Sequence, residues 1–161
     1  MKILAIGNSF SQDATRYLHQ IAKADKMELK VVNLYIGGCS LKTHYLNMLD
    51  DTAAYSFEFN GEATGIYVSI REALKSDDWD YITLQQVSSK STDYDSFQPY
   101  LNALIEYAGK YSPKSKLLLH QTWAYEEGSE RLYGMGYTKQ SDMFANIKKA
   151  YNKASEETGL E

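Results

Sequence analysis

Short apolar runs alternate along the chain with longer segments whose apolar residues recur three or four positions apart. The short runs at 2–6, 29–36, 81–84 and 116–119 predict four buried strands. The longer segments predict an amphipathic helix after each strand. The expected helices are marked by Ala14, Leu18, Ile21 and Ala22, by Leu41, Tyr45 and Leu49, by the span 94–111, and by Met143, Ile147, Ala150, Tyr151 and Ala154.

A different pattern fills the interval between the second and third strands. Aromatic and polar residues alternate from Tyr55 to Tyr67 around Asn60-Gly61, a dipeptide typical of a two-residue hairpin turn. A short helix is expected over 68–75, before the third strand. The hairpin is therefore predicted as an insertion in an otherwise regular alternation of strands and helices.

This alternation predicts parallel strands joined by right-handed crossovers, with helices on both faces of the sheet. The expected fold class is α/β, a flavodoxin-like three-layer α/β/α sandwich with a mostly parallel sheet and a β-hairpin insertion. With 161 residues and a mass of 18.3 kDa, the chain has the size of one domain. We therefore predict a single domain over 1–161.

Composition and charge exclude several classes of partner. The chain has 17 basic and 21 acidic residues, a net charge of −4, and no basic stripe, which excludes nucleic acid. No apolar stretch is long enough for a membrane span, and the run before Gly7 is too short for a signal-peptide core. The chain as written is thus expected to be cytoplasmic, unless a secretion signal precedes Met1. A single cysteine, Cys39, excludes an internal disulfide, and we expect neither metal nor cofactor.

Candidate chemistry lies where the four strands end, because ligands of parallel α/β sheets gather at the carboxyl ends of the strands. Ser9 follows the first strand on a tight turn before a helix, where a hydroxyl is exposed and suited to act as a nucleophile. Gly38 follows the second strand and lets a backbone N–H approach a ligand closely. Gln86 follows the third strand and offers a side-chain amide. The N–H groups of Ser9 and Gly38 and the amide of Gln86 could together form an oxyanion hole.

Each of these residues also has a purely structural interpretation. Ser9 could be an ordinary N-cap of the following helix, a role that Ser11 could also take. Gly38 could simply end a strand, and Gln86 could be a buried amide with satisfied hydrogen bonds. Asn8 is expected to hold the turn through local hydrogen bonds.

The strand-end motifs resemble a known group of enzymes. Gly7-Asn8-Ser9-Phe10-Ser11 resembles the first block of the SGNH/GDSL hydrolase superfamily, in a branch where Asn replaces the usual Asp. Gly38 falls where that superfamily has its second-block glycine, and the segment around Gln86 is similar to the glutamine form of the third block in carbohydrate acetylesterases. The resemblance implies an esterase in which Ser9 attacks an acyl carbonyl.

One block of that superfamily has no counterpart here. The catalytic histidine lies in a late Asp-x-x-His block, and no Asp-x-x-His occurs in this sequence. We therefore expect the chain to stop before that block and before the last strand of the sheet, and to be nearly inactive by itself. A sheet that lacks its last strand exposes an edge, through which the chain could self-associate.

The loop after the fourth strand contributes candidates for substrate binding. His120 ends that strand, and Trp123 and Tyr125 follow it in a loop over 121–136. These residues could contact a sugar ring, or the aromatic pair could simply anchor the loop. The leading hypothesis is a serine esterase that removes O-acyl groups from small or carbohydrate esters. The alternatives are a non-catalytic flavodoxin-like domain that binds phosphate, flavin or carbohydrate, and a degenerate hydrolase that binds sugar without turnover.

Overall fold

A six-stranded sheet with helices on both faces makes up the computed structural model, which describes all 161 residues. Two short 3-10 helices, at Ser88–Lys90 and Tyr94–Ser96, follow the fifth strand. The regular elements are β1 (Lys2–Gly7), α1 (Ser9–Thr15), α2 (Leu18–Ala24), β2 (Lys30–Tyr35), α3 (Leu41–Leu49), β3 (Tyr55–Phe59), β4 (Glu62–Val68), α4 (Ile70–Lys75), β5 (Tyr81–Leu84), α5 (Tyr100–Tyr111), β6 (Lys116–Leu119), α6 (Glu130–Gly134) and α7 (Gln140–Thr158).

The sheet has the strand order β4-β3-β2-β1-β5-β6. Strands β2, β1, β5 and β6 are parallel, and β3 and β4 join them antiparallel beyond β2. This confirms the predicted α/β class and the mostly parallel sheet. The carboxyl ends of four neighbouring parallel strands therefore lie along one edge of the molecule.

The predicted hairpin forms around its expected turn. Asn60 and Gly61 have φ angles of 52° and 90°, as a two-residue turn with two left-handed positions requires. A Cβ on Gly61 would lie 2.0 Å from the carbonyl oxygen of Arg16, so glycine is also needed for close packing. The hairpin extends the main sheet and does not stand apart from it.

The hydrophobic core lies mainly on one face of the sheet. A cluster of 24 buried residues joins the strands to helices α3, α4, α5 and α7, and the strands contribute Leu4, Ile6, Leu34, Ile82 and Leu84 among others. On the opposite face, α1 and α2 cover the sheet through a cluster of only three buried residues, Ala22, Leu29 and Val31. The two layers thus contribute very unequally to burial.

Two predicted helices differ from the observed ones. The first is divided into α1 and α2. Ala14 is exposed because Ser11 and Thr15 are the α1 residues that face inward, and Ile21 is exposed because Ala22 is the buried residue of α2. The helix predicted over 94–111 begins only at Tyr100. Pro99 directly precedes α5. An earlier start would place Pro99 inside the helix, where it has no N–H to donate to the preceding turn.

The last residues of the chain lie beside β6. Helix α7 ends at Thr158, and Gly159, with a left-handed φ of 73°, is its C-cap. The Leu119 N–H then donates a hydrogen bond to the Glu161 carbonyl at 2.6 Å. The chain beyond α7 therefore returns to the sheet next to β6.

The turn after β1 depends on the absence of a side chain at Gly7. A Cβ there would lie 2.4 Å from Ser11 Oγ and 2.7 Å from Ser11 Cβ. We expect Gly7→Ala to lower the free energy of unfolding by about 1–3 kcal/mol, as measured by urea denaturation. Gly109→Ala is the matched control, because its Cβ meets open space in α5 and should stabilise the protein by about 0.5–1 kcal/mol. Equal effects of the two substitutions would contradict this account.

Candidate active site

Ser9 is the first residue of α1 and is exposed to solvent. The N-cap of this helix is Asn8, whose Oδ1 accepts a hydrogen bond from the Phe10 N–H at 3.1 Å. Ser9 is therefore not needed as the cap, and Ser11 is buried with its hydroxyl donating to the Asn8 carbonyl at 2.8 Å. The Ser9 hydroxyl makes no hydrogen bond within the chain. It is the free hydroxyl of this turn.

The Asn8 side chain also connects the first two strand ends. Its Nδ2 donates to the Cys39 carbonyl at 3.0 Å in a buried hydrogen bond. Cys39 is preceded by Gly38, which has a φ of +63° and is exposed. Neither the Ser9 N–H nor the Gly38 N–H has an acceptor within the chain. Asn8 therefore joins two loops that each carry one free backbone donor.

Gln86 does not have a free donor. Its Nε2 donates to the Ser96 carbonyl at 3.0 Å and to Ser96 Oγ at 3.1 Å, which uses both amide hydrogens. Its Oε1 accepts from the Leu41 N–H at 3.0 Å and the Val87 N–H at 2.8 Å. The structure thus corrects the expected oxyanion role of Gln86, since this fully buried amide instead binds three loops together.

The neighbouring amide, Gln85, was not anticipated as a site residue. Its Oε1 lies 3.0 Å from the point that a Cβ on Gly7 would occupy, and neither its oxygen nor its nitrogen has a hydrogen-bond partner. Strand alternation is the signal that separates the two amides. Gln86 shares the face of Leu84, which is in the core, whereas Gln85 lies on the α1 face behind the Ser9 turn.

The loop after β6 reaches the same turn. The Trp123 ring packs on Phe10 with a centroid distance of 4.2 Å and an interplanar angle of 55°. Trp123 remains 47% exposed, so part of its aromatic surface is left open where it packs on the first turn of α1. Tyr125 is half-buried, and its hydroxyl lies 2.5 Å from Ser88 Oγ. Tyr125 therefore anchors the loop to the end of β5.

None of the three histidines is hydrogen-bonded to Ser9. His19 Nδ1 lies 2.6 Å from the Leu29 carbonyl oxygen. His44 is fully buried in α3, with Nδ1 2.9 Å from the Tyr55 hydroxyl and 3.4 Å from Cys39 Sγ. His120 is half-buried at the end of β6, where its backbone N–H donates to the Leu84 carbonyl at 2.8 Å.

Burial sets the protonation of the titratable groups near this edge. It lowers the pKa of His44 to about 3 and the pKa of His120 below its usual value, so both rings are neutral at pH 7. It raises the pKa of the Cys39 thiol to about 12. Cys39 is therefore a buried thiol and not a thiolate nucleophile.

Five surface clefts lie away from the strand-end edge, and none of these five includes Ser9 or Trp123. No group of three or more His, Cys, Asp or Glu side chains is arranged to hold a metal ion. No helix has both the length and the apolar character required to cross a bilayer.

The α/β sandwich has the fold of the SGNH hydrolases. A solved structure of a candidate SGNH hydrolase from Slackia heliotrinireducens matches with a TM-score of 0.65 and 23% identity, over 99% of this chain and 76% of that one. An acetyl xylan esterase, AlAXEase, matches with a TM-score of 0.52 and 18% identity, over 94% of this chain and 74% of that one.

The chain belongs to the DUF4886 family, described as a domain of unknown function, whose model matches residues 2–160. A crystal structure of a DUF4886 family protein from Bacteroides uniformis is 35% identical, with a TM-score of 0.88. The match covers 100% of this chain and 65% of that chain, so the 161 residues span about two-thirds of the relative's length. No curated protein matches the chain.

The buried His44 makes stability depend on pH. In the unfolded chain its imidazole binds a proton below about pH 6.5, whereas the folded chain keeps it neutral down to about pH 3. Stability is therefore complete above pH 6.5 and falls as the pH drops, with a slope approaching about 1.4 kcal/mol per pH unit. Urea denaturation between pH 6.5 and pH 5 should show this loss.

The variant His44→Gln should flatten that slope, leaving the contribution of His120, whose pKa is lowered in the same direction. His19→Gln is the matched control and should keep the slope of the parent chain, because His19 lies apart from this buried cluster, beside Leu29. If His44→Gln kept the full slope, burial of His44 would not be its origin.

Proposed function

We propose that this protein is a serine hydrolase that removes O-acyl groups from small or carbohydrate esters through an acyl-Ser9 intermediate. The observation that carries the proposal is the turn after β1. Asn8 caps the helix, which leaves the exposed Ser9 hydroxyl unbonded, and it ties this turn to the Gly38 loop, where a second N–H is free.

The chemistry follows from these groups. The Ser9 oxygen attacks the acyl carbonyl carbon and loses its proton to a general base, while the carbonyl oxygen becomes an oxyanion. The free N–H groups of Ser9 and Gly38 are the donors proposed to stabilise that oxyanion. Collapse of the intermediate expels the alcohol, which takes up the proton. Water then attacks acyl-Ser9 by the reverse sequence and releases the carboxylic acid.

No side chain that could act as the general base makes a hydrogen bond to the Ser9 hydroxyl. His44 is buried beside Tyr55, and His120 makes no side-chain hydrogen bond to the Ser9 turn. A serine hydrolase that lacks its base still accelerates the reaction by about 10³–10⁴-fold over water, through the oxyanion donors and substrate binding alone. The same observation favours the second candidate function, a hydrolase-like domain that binds an acylated sugar without turnover.

Two structural neighbours support the proposal. One is an acetyl xylan esterase, and the other is a candidate SGNH hydrolase. The fold is what those proteins share with this chain. The ester and the sugar remain part of the proposal.

The test is hydrolysis of 4-nitrophenyl acetate by the full-length gene product that contains these residues, followed by labelling with a fluorophosphonate. We expect Ser9→Ala to lower kcat by about 10³-fold or more and to abolish the label. Ser141→Ala is the matched control, because Ser141 is also an exposed serine in the first turn of a helix. It should change neither readout. A label on a peptide without Ser9, or full activity of Ser9→Ala, would refute the nucleophile assignment.

A further inference from the structure

Trp123 is an exposed aromatic side chain on a well-anchored loop. It is 47% exposed, while the residues on either side of it, Thr122 and Ala124, are buried. The Tyr125 N–H donates to Met143 Sδ at 3.4 Å, and the Tyr125 hydroxyl contacts Ser88. A large apolar ring is thus held in water by a fixed backbone, which lowers the entropy cost of binding a ligand against it.

The position of this ring connects it to the proposed nucleophile. Trp123 packs on Phe10, the residue that directly follows Ser9, at a centroid distance of 4.2 Å. A molecule that stacks on the open surface of the indole would therefore lie beside the first turn of α1, which carries Ser9. Such a molecule would be the alcohol part or the acyl part of an ester.

The openness of the site distinguishes these two possibilities. A long acyl chain needs an enclosed apolar pocket to be removed from water, whereas the Trp123 ring is 47% exposed and lies outside the five clefts described above. A pyranose ring needs only one flat apolar surface, because its hydroxyls can remain hydrated. An indole supplies that surface together with an N–H donor.

Charge around the loop further restricts the ligand. Glu126 and Glu127 follow Trp123 closely and are exposed, and the chain has a net charge of −4. An anionic sugar would be repelled by these carboxylates. The favoured ligand is therefore uncharged.

We propose that Trp123, seated on Phe10, forms a subsite for a neutral sugar ring that carries the ester cleaved at Ser9. This inference rests on the proposed function for the ester, but the binding of the sugar does not require turnover. The subsite can therefore be tested separately from the nucleophile.

Tryptophan fluorescence can report on the subsite directly. The only other tryptophan among these 161 residues is Trp79, which is buried with its Nε1 donating to the Ala73 carbonyl at 2.9 Å. A ligand that covers Trp123 should shift its emission to shorter wavelength and protect it from quenching by acrylamide. Trp79 should contribute a constant background.

The experiment titrates the full-length Ser9→Ala protein with xylotriose, trigalacturonate and octanoate. We expect a saturable blue shift with xylotriose, at least tenfold weaker binding of trigalacturonate, and no shift with octanoate. Isothermal titration calorimetry should show at least a tenfold loss of xylotriose affinity in Trp123→Ala. Tyr133→Ala is the matched control, because Tyr133 is 55% exposed on α6, and it should bind xylotriose as the parent does.

Three outcomes would overturn the subsite: no response to xylotriose, a response to octanoate alone, or an equal loss of affinity in Tyr133→Ala.

Failure of the subsite and failure of the proposed esterase give different results. Sugar binding that needs Trp123, in a protein without Ser9-dependent hydrolysis, would sustain the subsite and reject the esterase. Ser9-dependent hydrolysis without sugar binding would support the esterase and reject the subsite.

Discussion

The buried side chain of Asn8 is the interaction on which the strand-end site depends. One amide group satisfies two demands, since its oxygen caps α1 at the Phe10 N–H and its nitrogen binds the Cys39 carbonyl. Aspartate could cap the helix but could not donate to a carbonyl, and serine could cap it but would not span both loops. The position of Ser9 relative to the Gly38 loop is thus determined by a residue that performs no chemistry itself.

A second polar network holds α1 from the other side and gives the hairpin a role. Glu58 on β3 is buried and accepts hydrogen bonds from Gln12 on α1 and from Asn33 Nδ2 on β2, the latter at 2.7 Å. The insertion therefore contributes more than two strands to the sheet. It supplies the acceptor that fixes the helix carrying Ser9 against the sheet.

Local patterns in the sequence predicted most of the framework, because strands and turns are determined by neighbouring residues. The strands at 81–84 and 116–119 and the turn at Asn60-Gly61 were predicted correctly. The start of α5 was predicted wrongly, because the apolar spacing favours a helix from residue 94 while Pro99 delays its start to Tyr100. At the site, the exposure of Ser9 follows from its turn, whereas the bonding of Gln86 depends on Ser96 and Leu41, which no local pattern brings together.

The unequal division of the core has a consequence for motion. The layer formed by α1 and α2 is held by a three-residue apolar cluster and by polar contacts, while the opposite layer shares a cluster of 24 buried residues. Regions with little buried apolar surface open at lower free energy than the rest of a protein. The backbone amides of α1 and α2 should therefore exchange with deuterium sooner than those of α5 and α7, so that the turn bearing Ser9 belongs to the more readily opened half of the molecule.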